Sequence, residues 1–131
     1  KRIEPLDVAR AVSIALVHDL AELRIGDLPR TSVHYFPNGA KKAAEHAAMR
    51  DLLAPLPPET LALYQEYEAG ESDEARLVKA CDKLQLMLKV ATYEKWGTGA
   101  LAEFWDNPEN FPDAGFPEVR EVFEALQARA R

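Results

Sequence analysis

Residues 15–22 read ALVHDLAE, and residues 26–29 close the same segment with GDLP. This stretch decides the fold, because it joins an apolar helix to a cluster of polar side chains. The residues before it are apolar on nearly every side: Val8, Val12, Ile14, Leu16 and Val17. That pattern predicts a helix buried on most sides. Yet the segment ends in His18, Asp19 and Glu22, and a buried charge is costly unless it is paired or bound to a metal.

Helical geometry brings the polar residues of this stretch together. His18 and Glu22 are four residues apart, so a continuous helix places them on one face. Asp19 follows about 100° further round, close enough for it and His18 to share one ion. Gly26 predicts the end of the helix. Asp27 then lies in the loop just past that end.

Length and charge limit the classes of protein that this chain can be. A chain of 131 residues predicts one domain over residues 1–131 that buries a real core. The net charge of −6 argues against a nucleic-acid surface, although a small phosphate ligand stays compatible because a metal can reverse the local field. The single cysteine, Cys81, cannot form an internal disulfide, so we expect a reducing, cytoplasmic compartment. No apolar run is long enough to span a membrane. A helical domain of this kind is compatible with a homodimer.

The hydrophobic periodicity predicts an all-α fold. Helices are expected, in chain order, over residues 5–25, over 40–54, from Pro58 onward, over 73–95, over 98–106 and from Pro117 onward. Loops are expected over 27–39 and 107–115. Helix 73–95 is predicted to begin after an N-cap at Ser72. Its core stripe is predicted to be Leu77, Cys81, Leu84, Leu88 and Ala91. The last helix is predicted to bury Val119, Val122, Phe123 and Leu126.

A second acidic residue stands in the middle of helix 73–95. Asp82 is a poor residue for a helix interior, and the apolar Val78 and Leu86 lie four residues before and after it. If this helix packs on the first one, Asp82 faces His18 and Asp19. One imidazole and two carboxylates form a mixed nitrogen and oxygen site, which suits Mn, Co, Fe, Zn or Mg.

Two segments carry a family resemblance. Residues 15–29, ALVHDLAELRIGDLP, and residues 77–94, LVKACDKLQLMLKVATYE, resemble the HD-domain metal-dependent phosphohydrolases. The likeness extends from about Val12 to Trp105 and is greatest to the 5′-deoxynucleotidase branch. It implies an HD-type helical bundle.

The resemblance also implies roles for particular residues. His18, Asp19 and Asp82 would be metal ligands, Glu22 would orient or deprotonate the attacking water, and Asp27 would support that water or the substrate sugar. The implied activity is hydrolysis of nucleoside 5′-monophosphates, with deoxyribose preferred, by a divalent metal. A cyclic nucleotide or a nucleoside triphosphate is the alternative substrate.

The family pattern has one more histidine ligand, on a helix before the His-Asp pair. None of residues 1–17 is a histidine. We therefore expect the chain to be a C-terminal fragment that lacks the N-terminal helices of the bundle, with the missing ligand encoded before Lys1. If the chain is complete, the site is one ligand short, and a non-catalytic helical interaction module becomes the alternative.

Each candidate residue also has a structural alternative. His18 alone would suit a core histidine bonded to a backbone carbonyl, Glu22 a helix-end ion pair, and Asp27 a turn. Asp82 would alternatively pair with a neighbouring lysine on a solvated face. His34 and His46 are expected at the surface and Cys81 in the core. The cations that could meet a phosphate are Arg24, Arg30, Lys41 and Lys83, which the sequence does not rank.

Overall fold

The computed structural model describes residues 5–97 and 99–130, which form helices joined by short turns and contain no strand. The helices are α1 (Val8–Val17), α2 (Glu22–Ile25), α3 (Arg30–Val33), α4 (Ala40–Leu53), α5 (Pro58–Ala69), α6 (Asp73–Lys95), α7 (Ala102–Asp106) and α8 (Pro117–Ala130), with a short 3₁₀ helix at Pro108–Asn110. The predicted all-α fold is confirmed. Within the described ranges, no helix combines the length and the apolar character that crossing a bilayer requires.

The chain divides into two compact units, residues 1–75 and 76–131. In the first unit α1 and α4 both pack against α5, and α2 packs against α4. Their shared core consists of Val17, Ala21, Ala48, Met49, Leu53 and Tyr64. Met49 is completely buried at its centre. The unit therefore holds the end of α1 and the start of α2, where the polar stretch lies, against a fixed apolar support.

A polar clasp joins α1 to α5 in the first unit. The guanidinium of Arg10 donates from Nε to Oε1 of Glu66 at 3.1 Å and from Nη2 to Oε2 of the same carboxylate. The hydroxyl of Ser72 donates to Oε1 of Glu66 at 2.6 Å, and it accepts from the backbone N–H of Ala75 at 3.1 Å. Ser72 is thus the predicted N-cap of α6. The hydrogen bond from Arg10 is the largest cause that lowers the pKa of the Glu66 carboxyl, and the bond from Ser72 lowers it further.

The second unit also contains buried apolar residues. Its buried residues come from α6, α8 and the segment before α8: Val78, Ala80, Met87, Val90, Phe116, Val119, Phe123 and Leu126. The ring of Phe111 lies edge-on to Phe123 and stacks on Trp105. Buried Asn110 donates from Nδ2 to the carbonyl of Phe104 at 2.9 Å, which holds the turn after α7 in place. The prediction of one domain over residues 1–131 stays a prediction.

The first helix differs most from its prediction. Helices 40–54, 73–95 and those beginning at Pro58 and Pro117 are confirmed within a residue or two, but a single helix over residues 5–25 is wrong. The side chain of Asp7 accepts the N–H of Arg10 as an N-cap, so α1 begins only at Val8. It ends at Val17, and the four residues 18–21 separate it from α2. The predicted loop 27–39 also contains the short helix α3.

Several predicted core positions are exposed. In α1, Val8, Val12 and Leu16 are 70%, 54% and 73% exposed, so the expectation of a helix buried on most sides is wrong. In α6, Cys81 and Leu88 are exposed, and Val122 of α8 is 40% exposed. The physical reason is the same in each helix: apolar residues occupy more than one side, so their spacing does not select the face that packs.

Candidate metal centre

His18 is held in one orientation by its own helix. Its Nδ1–H donates to the carbonyl of Ala15 at 2.7 Å, and the side chain is only 15% exposed. A carbonyl oxygen can only accept, so Nδ1 carries a proton, and a neutral imidazole in this position has its lone pair on Nε2. The ring of Tyr67 packs on the imidazole from α5, with ring centroids 4.9 Å apart. The orientation of Nε2 is therefore set by a hydrogen bond and by an aromatic contact.

The same hydrogen bond lies where α1 ends. In a continuous helix the carbonyl of Ala15 would accept from the backbone of Asp19, but here it accepts from the His18 ring. The following backbone bonds are tighter, from Leu20 to Val17 at 3.2 Å and from Glu22 to Asp19 at 3.0 Å. The turn that carries His18 and Asp19 is thus a break between two helices and not a helix interior.

Asp19 places a carboxylate oxygen against the imidazole. Its Oδ2 lies 3.0 Å from Nε2 of His18. A nitrogen lone pair and a carboxylate oxygen repel each other unless a proton or a metal ion shares them. A histidine that binds a metal through one nitrogen almost always donates the other N–H to a carbonyl or a carboxylate, as His18 does. The pair therefore fits part of a divalent metal site, and the 56% exposed Asp19 side chain leaves that site open to solvent.

The two predicted catalytic carboxylates are both exposed. Glu22 is the first residue of α2, and Asp27 follows Gly26, whose φ of 75° and ψ of 164° end that helix. The argument that His18 and Glu22 share a face needed an unbroken helix, so it no longer holds after the tightened turn. The roles of Glu22 and Asp27 stay predictions.

Asp82 lies on α6, in the second unit, and is half-buried. Val78, one turn before it, is buried, and Leu86, one turn after it, is half-buried. The predicted half-apolar surroundings of Asp82 along its own helix are thus confirmed. Its role as a third ligand stays a prediction.

The remaining candidates lie in the first unit, except Lys83, which lies on α6 in the second. His34 is exposed, as predicted, and His46 is partly exposed, with Nε2 3.3 Å from Oε2 of Glu68. Two of the four cations considered for a phosphate face acids: Arg24 lies 3.8 Å from Asp51, and Lys41 lies 3.5 Å from Glu45. Tyr67 is the site residue that the sequence reasoning missed, because an aromatic residue at helical spacing is typical of a core position.

Comparison with known proteins identifies relatives over nearly the whole chain. The profile of the HD domain matches residues 1–119. The chain is 34% identical over 132 residues to 5′-deoxynucleotidase HDDC2 of Bos taurus, covering 95% of this chain and 62% of that protein. It is 32% identical over 130 residues to 5′-deoxynucleotidase HDDC2 of Homo sapiens, covering 94% of this chain and 61% of that protein. The chain thus spans about three-fifths of the length of these curated relatives.

A solved structure supports the same relationship. A conserved hypothetical protein from Pyrococcus furiosus superimposes with a TM-score of 0.76 and 32% identity. The match covers 96% of this chain and 68% of that protein. Sequence and fold therefore point to the same family.

Proposed function

The chain belongs to the HD-domain family, and on that premise we propose that it is a metal-dependent phosphohydrolase that converts deoxynucleoside 5′-monophosphates to nucleoside and phosphate. The observation that carries the proposal is the pair formed by His18 and Asp19. An imidazole held in one orientation meets a carboxylate oxygen at 3.0 Å, which is the chemistry of a divalent metal site. The 5′-deoxynucleotidase names of the curated relatives support the substrate.

We propose that His18, Asp19 and Asp82 hold the ion, with Asp82 added on the strength of family membership. His18 would bind through Nε2, because its Nδ1–H is engaged with Ala15. A divalent ion bound there neutralises phosphate charge and lowers the pKa of a bound water. Mn, Co, Fe, Zn and Mg all suit one nitrogen and two carboxylate ligands.

The exposed carboxylates would act on the water and the sugar. Glu22 begins α2 directly after the turn that carries Asp19, and its backbone N–H donates to the Asp19 carbonyl. We propose that its carboxylate orients the attacking water and accepts its proton. Asp27, at the end of α2, would hold the same water or accept a hydrogen bond from a sugar hydroxyl. Because Glu22 and Asp27 lie near the two ends of the short helix α2, they would together keep the attacking water in line with the phosphorus.

The proposed partner is a small nucleotide and not a nucleic acid, since the net charge is −6. We also propose a cytoplasmic location. Cys81 is the single cysteine and its thiol is exposed, and a free exposed thiol persists best in a reducing compartment.

The test is phosphate release by the full-length protein. Metal-stripped protein is supplied in turn with Mn, Co, Fe, Zn and Mg and with a panel of 5′-monophosphates, 3′-monophosphates, cyclic nucleotides and triphosphates. We expect metal-dependent release of inorganic phosphate, fastest from deoxynucleoside 5′-monophosphates. Chromatography of the nucleotide products accompanies the assay, because hydrolysis of a cyclic nucleotide gives a monophosphate and no inorganic phosphate. Hydrolysis of triphosphates or cyclic nucleotides alone would show that one of these is the substrate. No hydrolysis of any member of the panel, with metal bound, would overturn the proposal.

A further inference from the structure

The first unit carries a small cavity between α4 and α5. It has a volume of about 150 Å³ and is lined by His46, Arg50, Leu61, Tyr64, Gln65 and Glu68. None of the residues proposed to hold the metal or the attacking water belongs to this lining. Sites for drug-sized ligands usually measure about 300–1,000 Å³, so this cavity has room for a small molecule and not for a whole nucleotide.

The one acid in the lining, Glu68, already faces basic side chains. Its Oε2 lies 3.2 Å from Nζ of Lys42 and 3.3 Å from Nε2 of His46. The charge of Lys42 offsets the charge of Glu68, and Arg50 then adds one positive charge to the cavity. The local balance is therefore positive, although the whole chain has a net charge of −6.

Two hydrogen-bond donors of the lining are unused. Arg50 is exposed on α4, and in the part of the chain that the structure describes no hydrogen bond or ion pair engages its guanidinium. Tyr64 of α5 is 4% exposed, and its hydroxyl lacks a hydrogen-bond partner within the described ranges. A guanidinium can only donate, and a phenol can donate its O–H. A ligand that satisfies both groups must therefore present acceptor oxygens.

We propose that this cavity binds one small oxyanion, of the size of a phosphate ion or a short-chain carboxylate. Its oxygens accept from the planar guanidinium of Arg50, whose fork of N–H groups matches both kinds of anion, and from the hydroxyl of Tyr64. Leu61 supplies an apolar wall for the carbon chain of a carboxylate. The proposal does not depend on the activity proposed above.

Binding of the anion has a consequence for stability. In the free protein the Tyr64 hydroxyl is buried without a partner, and such a group costs its desolvation energy. A charged acceptor supplies the missing hydrogen bond, and hydrogen bonds to charged groups are the stronger ones. An anion that binds only the folded protein therefore raises Tm as its concentration increases.

The test is thermal unfolding of the metal-stripped, full-length protein in phosphate, in butyrate and in chloride at equal ionic strength. Removal of the metal keeps phosphate from binding to an ion at the candidate metal centre. Calorimetric titration with phosphate and with butyrate gives the dissociation constants. R50Q and Y64F are each expected to raise the constant of the bound anion roughly tenfold, because each removes a hydrogen bond to a charged group. R129Q and Y35F are the matched controls, since both residues are exposed and lie outside the cavity.

The outcomes separate the two kinds of anion. A rise in Tm with phosphate, with butyrate or with both, relative to chloride, supports the proposal and identifies the ligand. No rise with either anion would overturn it. A rise that R50Q or Y64F leaves unchanged would also overturn it, as would a loss in R129Q equal to that in R50Q, because the effect would then come from overall charge. Circular dichroism verifies that each variant keeps its helices.

Discussion

The phenol ring of Tyr67 packs on the imidazole of His18, with ring centroids 4.9 Å apart and ring planes inclined by 54°. Tyr67 comes from α5, whereas His18 lies just after α1, so the contact fixes the histidine from a second helix. Together with the bond from Nδ1 to the carbonyl of Ala15, it leaves the ring little freedom. Tyr67 is therefore a positioning residue for the proposed metal ligand.

The first prediction tests this positioning. Y67F keeps the ring and is expected to keep the metal affinity within about twofold, whereas Y67A frees the imidazole and is expected to weaken the affinity roughly tenfold. Titration of metal-stripped protein by calorimetry measures both values. Equal affinity in Y67A and the unaltered protein, with helical content preserved, would show that the ring contact does not position His18.

The second prediction concerns the ligand set. H18A, D19N and D82N are each expected to remove most of the bound metal, because a site that loses one of three protein ligands loses orders of magnitude in affinity. Metal content after dialysis is measured by elemental analysis. H34A and D106N are the matched controls, since His34 and Asp106 are exposed. If D82N retained full metal while H18A and D19N lost it, Asp82 would not belong to the site.

The third prediction separates binding from turnover. E22Q replaces the carboxylate with a neutral amide of nearly the same size. It is expected to bind metal normally and to lower kcat by roughly 10²–10⁴, the usual contribution of a general base. D27N is expected to change kcat or KM less than E22Q does. Phosphate release at saturating substrate is compared with metal content for the same preparations. Full activity in E22Q would remove Glu22 from the chemical step.

The fourth prediction follows from the clasp between Arg10 and Glu66. Because Arg10 lowers the pKa of Glu66, the native carboxylate holds its charge to lower pH than the unfolded one. The unfolded state then binds more protons in acid, so this part of the stability is present above about pH 4.5 and is lost as the pH falls through the lower native pKa. The loss is at most about 1 kcal/mol, because Arg10 is 49% exposed and solvent screens the pair.

Urea midpoints between pH 7 and pH 3 measure this effect. E66Q cannot titrate and is expected to show a shallower fall in stability over the acid range than the unaltered protein. E59Q, an exposed position on the same helix, is the control and is expected to follow the unaltered curve. Parallel curves for E66Q and the unaltered protein would show that the clasp does not contribute to acid stability.

The sequence predicted the long helices well because their signals are local. Ser72 caps α6 as expected, and the Pro residues that begin α5 and α8 stand where the prediction placed them. The break after Val17 was not predictable in the same way, since no Gly or Pro marks it. The feature found there is the bond from the His18 side chain to the carbonyl of Ala15. A side chain that competes for a backbone acceptor leaves no pattern of hydrophobic spacing.

The sequence predicted the candidate site from its chemistry and only part of its geometry. The conflict between apolar neighbours and polar side chains pointed to His18 and Asp19; the structure shows the bond of His18 to a backbone carbonyl, and the ligand role of His18 stays a prediction. His18 bonds to that carbonyl through Nδ1, and that bond frees Nε2 to face Asp19. Tyr67 was out of reach because its contact joins two helices that are far apart in sequence, and helical spacing reports only which residues share one helix.

The fifth prediction concerns a buried hydroxyl in the core of the first unit. Tyr64 is 4% exposed, and its hydroxyl lacks a hydrogen-bond partner among the described residues. Burial, followed by the charges of Glu68 and Glu45, raises its pKa to about 12. A tyrosine ionisation should therefore appear near pH 12 in an alkaline absorbance titration, and Y64F should abolish that step.

The same substitution should stabilise the protein. A buried hydroxyl without a partner costs its desolvation energy, and no hydrogen bond offsets that cost. Y64F removes the hydroxyl and keeps the ring packed against Met49 and its neighbours in the core. It is therefore expected to raise the unfolding free energy by about 1 kcal/mol. For a chain of this size that corresponds to a rise in Tm of about 3–5 °C. Y35F is the control, because Tyr35 is 86% exposed and its hydroxyl stays hydrated. A Y64F protein with a lower Tm than Y35F would mean that the hydroxyl bonds to a buried water, and the late ionisation would then report that bond and not burial alone.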